Sequence, residues 1–218
     1  MPRSGLNTEA VVNAAARLAD AEGLEHLTLK RLAAELNVRP PSLFSHVDGL
    51  ADLRRHLQLR ALRAMTARIG KAAIGRAGDD AVVAASAAAR AFAREHPGLY
   101  AASLRAPPAD DTELTAAAEQ FIGIFFDAMR QYGFQSTETV HAVRGLFSTI
   151  HGFISLERAG TFGMPVDIDE SFRWLIEHYI ASLNADRSAV ANGSRAHQFN
   201  KTRHDTHRGH SSRTGATP

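Results

Sequence analysis

Eleven histidines and no cysteine among 218 residues set the chemistry to be weighed first. Imidazole ligates metals and moves protons, so a metal- or cofactor-bearing helical-bundle enzyme is one reading. The spacing argues against it. No His-Glu-x-x-His occurs, and a carboxylate-bridged two-metal bundle needs two Glu-x-x-His pairs where this chain has one, Glu138 with His141. His141 and His151 lie about 280° apart around an ideal helix. His197, His204, His207 and His210 fall in a polar tail. No Gly-x-Ser-x-Gly elbow frames a serine nucleophile, and zero cysteine removes thiolates, disulfides and iron–sulfur clusters. The sequence therefore names no catalytic residue, no metal ligand and no cofactor.

Polar side chains are better organised over residues 27–53. Leu29, Leu32, Ala33 and Leu36 fall at helical offsets after Thr28, a good N-cap. Asn37 tolerates the positive φ of a tight corner, and Val38 can pin it to a core. A very short helix must follow before Gly49, with Pro40 and Pro41 tolerable only in its first turn. Its exposed face takes Arg39, Ser42 and Ser45. This is helix-turn-helix spacing.

The elements around this corner are helical throughout, and no segment alternates as a strand does. Val11, Ala14, Ala15 and Leu18 stripe a first helix that Asn7 or Thr8 can cap and Gly23 can end. After Gly49 a longer helix carries Leu53, Leu57, Ala61, Leu62, Met65 and Ile69, stopping near Gly70. Residues 70–80 read as a linker. Further helices are centred on residues 82–95, 114–131, 140–159 and 171–183, with a shorter helical turn around residues 100–104. From about Asn184 the apolar stripe ends, and residues 184–218 are expected to be a disordered basic tail.

Charge follows the same divisions. Residues 1–70 hold ten Lys and Arg against seven Asp and Glu, residues 71–183 nine against fourteen, and residues 184–218 six against two. A basic head on an acidic body suggests that a polyanion would meet the head. No apolar run approaches the roughly 18 residues that span a bilayer, and residues 1–10 lack a secretory signal's apolar stretch. The expectation is a cytoplasmic protein.

The ordering from residue 8 to residue 53 resembles the DNA-binding domain of the tetracycline-repressor (TetR) family of bacterial transcription regulators. Ala19-Asp20-Ala21-Glu22-Gly23-Leu24 is similar to that family's opening, and Leu27-Thr28-Leu29-Lys30-Arg31-Leu32-Ala33-Ala34-Glu35-Leu36-Asn37-Val38 to its second helix and corner. Leu43-Phe44-Ser45-His46-Val47 is similar to its recognition-helix ending. Three positions depart from the pattern: Asn37 stands where glycine is usual, Phe44 where tyrosine is commonest, and Leu50 where many members place a lysine.

The resemblance implies an all-α protein with a helix-turn-helix domain over residues 1–48 and a ligand-binding and dimerisation domain over residues 49–183. It implies a homodimer on a palindromic operator in double-stranded DNA, repressing until a small apolar effector binds. Arg39, Pro40, Ser42 and Phe44 would face the major groove, Arg39 as a bidentate reader of guanine. Thr28, Lys30, Ser45 and His46 would position phosphates. Structural alternatives stay open: Thr28 as a cap only, Lys30 and Arg31 as a solvated face, His46 as a backbone-bonded hinge. Arg3 is a candidate for a minor groove. In the body, Phe92, Phe121, Phe125, Met129, Phe147 and His151 are candidates for an effector pocket, with core packing as the alternative. Leu146, Phe153 and Leu156 are candidates for the apolar face that a dimer needs beyond the one serving the core.

Overall fold

A computed structural model describes residues 6–191. The expected roles of Arg3, of the tail beyond residue 191 and of its four histidines lie outside the described residues. The all-α expectation holds: α1 spans Thr8–Glu22, α2 Leu29–Glu35, α3 Gly49–Ala73, α4 Asp79–Glu95, α5 Pro97–Ser103, α6 Thr112–Met129, α7 Ser136–Arg158 and α8 Ile168–Ala191.

Local chemistry fixes the boundaries. The Asn7 side chain accepts the Ala10 amide at 2.8 Å to open α1, and Gly23, at φ 97°, closes it. Asp111 accepts the Leu114 amide at 3.0 Å to open α6. Glu138 accepts the Gln135 amide at 3.1 Å in the capping box of α7. Half of the one Glu-x-x-His pair is therefore spent on capping the start of a helix. The linker contracts to a turn between α3 and α4 that uses positive φ at Gly75 and Gly78.

Two boundaries differ from expectation. The turn around residues 100–104 is a helix that begins at Pro97, whose missing N–H costs nothing at a first helical position. α8 runs on to Ala191, so residues 184–191 are helical where disorder is expected. Buried Leu183 anchors that extension, Asn184 donates its amide to Asp79 at 3.0 Å, and Ser188 bonds back to the Asn184 carbonyl at 3.0 Å. Once a turn is pinned, each added residue gains a backbone bond without a new nucleation cost.

A single apolar core joins all eight helices. α3 is its axis, with Leu53, Leu57, Ala61 and Ile69 buried against α4, α5 and α6. α1 lies across α5 so closely that a Cβ on Gly98 would collide with the Ala19 backbone carbonyl. There the Asp20 carboxylate accepts the amides of Gly98 at 2.8 Å and Leu99 at 3.0 Å, and His96 Nδ1 approaches it at 3.1 Å.

Charge also ties the body together. Buried Arg90 on α4 donates to Glu157 on α7 at 2.6 and 2.9 Å and lies 2.8 Å from Asp169 on α8. Its guanidinium sits over the rings of Phe153 and Phe172, 5.2 and 4.9 Å from their centroids. One cation thus satisfies two carboxylates and two aromatic faces.

Candidate nucleic-acid interface

The corner after α2 is set by hydrogen bonds that the backbone makes with itself. Asn37 adopts φ 54°, the one non-glycine positive φ among the described residues. Its amide donates to the Ala34 carbonyl at 3.1 Å, and the Val38 amide donates to Ala33 at 3.0 Å. This pair of bonds is a Schellman closure, which needs a left-handed residue at the position Asn37 occupies.

The next segment is wound more tightly than an α-helix. Pro40–Ser45 is a 3-10 helix, because Pro40 and Pro41 bring no N–H and the first available donor, the Ser42 amide, reaches back to Arg39 at 2.9 Å. Leu43 faces the core, fully buried. Its neighbours face outward: Arg39, Pro40, Ser42 and Ser45 are exposed, and Phe44 keeps 60% of its surface in solvent. A phenyl ring that exposed gains nothing for folding.

The remaining expected contact residues divide by what holds them. Thr28 is exposed and its hydroxyl accepts the Arg31 amide at 3.1 Å, so the capping role is real. Lys30 is exposed. Arg31 beside it is committed: it donates to Glu22 of α1 at 2.6 Å and to Glu35 at 3.2 Å, which clamps α2 to α1. His46 is half-buried and its backbone is bonded on both sides. Its amide donates to Leu43 at 2.9 Å, and its carbonyl accepts the Thr8 hydroxyl at 3.1 Å. Thr8 is a positioning residue that the sequence shows only as a possible cap.

The expected effector residues are less united. Phe121, Phe125 and Phe147 pack edge to face, with centroids 4.7 to 5.7 Å apart, and Met129 is fully buried. Phe92 is buried against His96 instead. His151, one turn along α7 from Phe147, is exposed and pairs with Tyr100 instead, its Nδ1 3.1 Å from the hydroxyl and the ring centroids 6.0 Å apart. Of the dimer candidates, Leu146 and Phe153 are buried in the chain's own core, and Leu156 alone stays exposed, at 49%.

Known proteins with the same pattern settle the family. The family model "Tetracyclin repressor-like, C-terminal domain" matches residues 82–179. The uncharacterized HTH-type transcriptional regulator Rv0681 of Mycobacterium tuberculosis is 34% identical over 179 residues, 82% of each chain. The uncharacterized HTH-type transcriptional regulator YobS of Bacillus subtilis is 35% identical over 183 residues, 84% of this chain and 95% of its own.

The chain belongs to the TetR family of transcriptional regulators.

Among solved structures, BioQ with its double-stranded DNA operator shares this TetR fold with a TM-score of 0.62 at 22% identity, over 83% of this chain and 99% of its own. TetR-Q116A from Acinetobacter baumannii, in complex with minocycline, shares it with a TM-score of 0.63 at 20% identity, over 84% and 99%. As a TetR-family regulator the chain places its helix-turn-helix at the amino end, and no described helix is long and apolar enough to cross a membrane.

Proposed function

We propose that this chain is a homodimeric, cytoplasmic repressor that reads a palindromic operator and leaves it when a small apolar molecule binds the body. The observation that carries this reading is the run from Arg39 to Phe44, where a cation, a hydroxyl and a ring stand in solvent on a backbone locked at Asn37. Residues 1–48 are the DNA-binding part in this reading and residues 49–183 the sensing and pairing part. Arg39 reads guanine, Pro40, Ser42 and Phe44 line the groove, and Thr28, Lys30, Ser45 and His46 meet phosphates. BioQ, of the same fold, is known with its operator.

Pairing is supported by apolar surface on the outer faces of the last two helices, Leu156 on α7 and Trp174 on α8, the latter 59% exposed and stacked on His178. A twofold assembly would set two recognition segments about 34 Å apart, one turn of duplex. Release by a ligand is supported by the fold's occurrence with minocycline. Phe121, Phe125, Met129 and Phe147 are the proposed walls, opening as the rings part, with Phe92 and His151 of the expected set at the margin, on His96 and Tyr100. A coupling of about 1 to 3 kcal/mol would lower operator affinity about 5- to 150-fold.

The test is binding of the full chain to duplex from upstream of its own gene. Preference for a palindromic fragment over random duplex is expected, with affinity falling roughly a thousandfold or more between 50 and 200 mM salt if six or more phosphates are met. Equal affinity for every duplex offered would overturn the proposal.

A further inference from the structure

A cleft of about 1080 Å³ separates the amino-terminal elements from the body. Leu24 and Asp48 line one side, the first two turns of α3 the floor, and Ala102, Arg105, Pro108 and Leu114 the other side. The volume is at the upper end for small-molecule sites. None of the proposed effector-pocket residues lines it.

The floor holds a cation in no ion pair among the described residues. Arg54 is half-buried, and its Nε is the buried side-chain nitrogen without a hydrogen-bond partner among the described residues. Arg54 lines the cleft with its charge in no ion pair among the described residues, so an acid group held there would gain a charge-assisted hydrogen bond. The other cations divide clearly. Arg55 is taken by Asp111, at 2.5 and 2.8 Å, and by Glu113 at 2.9 Å. Arg105 carries an exposed side chain in no ion pair among the described residues, on a backbone that is pinned: buried Gln58, one turn along α3 from Arg54, donates to its carbonyl at 2.6 Å. Of the other acidic residues lining the cleft, Glu25 lies 3.8 Å from His26, Asp52 accepts the Asp48 amide at 2.9 Å and lies 3.6 Å from His56, and Asp48 is exposed at the rim.

We propose that this cleft binds an amphipathic organic anion, its acid group on Arg54 and Arg105 and its hydrocarbon along Leu24, Ala102, Pro108 and Leu114. The occupant touches both sides of the joint that Asp20 closes between α1 and α5. Its effect on DNA rests on the regulator reading, whereas its binding does not.

Calorimetry on the full chain without DNA separates the two, using decanoate as probe and decanol as its uncharged match. Decanoate is expected to bind at least about tenfold more tightly than decanol, as a charge-assisted contact implies. Arg54→Gln should lose that advantage, and Arg105→Gln, at an exposed site that folding does not need, should lose several-fold, with decanol unchanged in both. Equal binding of the two probes, no binding of decanoate, or wild-type decanoate affinity in either folded variant overturns the site. Operator binding by the unliganded chain tests the regulator reading separately.

Discussion

Arg31 and Arg39, eight residues apart, use the same guanidinium in opposite ways. Arg31 is held by Glu22 and Glu35, and its hydrogen bond to Glu22 raises its pKa further. Arg39 has no side-chain partner among the described residues and stands in solvent, as Phe44 does. Arg39→Ala is expected to weaken specific operator binding by about 1 to 3 kcal/mol and leave binding to random duplex nearly intact. Competition binding with a base-substituted operator checks this; unchanged preference removes Arg39 from the reading set. The Glu35 half of the Arg31 clamp is legible as an i,i+4 pair. The Glu22 half is not, because it depends on how α1 crosses α2.

Among the helices and their joints, Asn37 is the most informative residue in the sequence, since few side chains tolerate the left-handed region and the corner demands it. Asn37→Val should cost about 1 to 2 kcal/mol, and Asn37→Gly should leave stability nearly unchanged, read by thermal or denaturant unfolding. The segment after it is harder to read, since two prolines permit a first turn without saying which kind. Its 3-10 form is set by which donors remain. The end of α8 is hidden for another reason: Asn184 is helical because of Asp79, 105 residues away. The stripe of Leu146 and Phe153 is legible as apolar, but periodicity alone does not tell a subunit's own core from a partner's. Arg90 shows the same limit, as its carboxylates come from two other helices. Arg90→Ala should destabilise by about 3 to 5 kcal/mol, leaving Glu157 without its partner in a largely buried place. Chemical denaturation measures it.

Across the whole molecule, the Arg55 cluster ties α3 to α6 and responds to pH. Hydrogen bonds from Arg55 hold the Asp111 and Glu113 carboxyls below their ordinary values. A lowered folded-state pKa contributes stability that is complete above the unfolded value, about 4, and is lost as pH falls through the folded value. Melting curves from pH 6 to pH 3 should therefore show wild type losing stability on acidification, with Arg55→Gln less stable at pH 6 and the difference shrinking toward pH 3. Assembly is tested at Trp174. Trp174→Glu should shift the chain toward single subunits in analytical ultracentrifugation and weaken operator binding, while its melting temperature stays close to wild type. An unchanged sedimentation profile would move the pairing surface elsewhere.

The unbroken run of α3 has a mechanical corollary. Twenty-five residues of α-helix make a rod about 37 Å long, one end beside the corner and the other on the far side of the body, past buried Ile69. Tilting such a lever by about 5° carries its far tip some 3 Å, close to the axial step between neighbouring base pairs. In the proposed repressor, a disturbance too slight to notice at the fulcrum would thus be magnified into a misalignment of one whole rung.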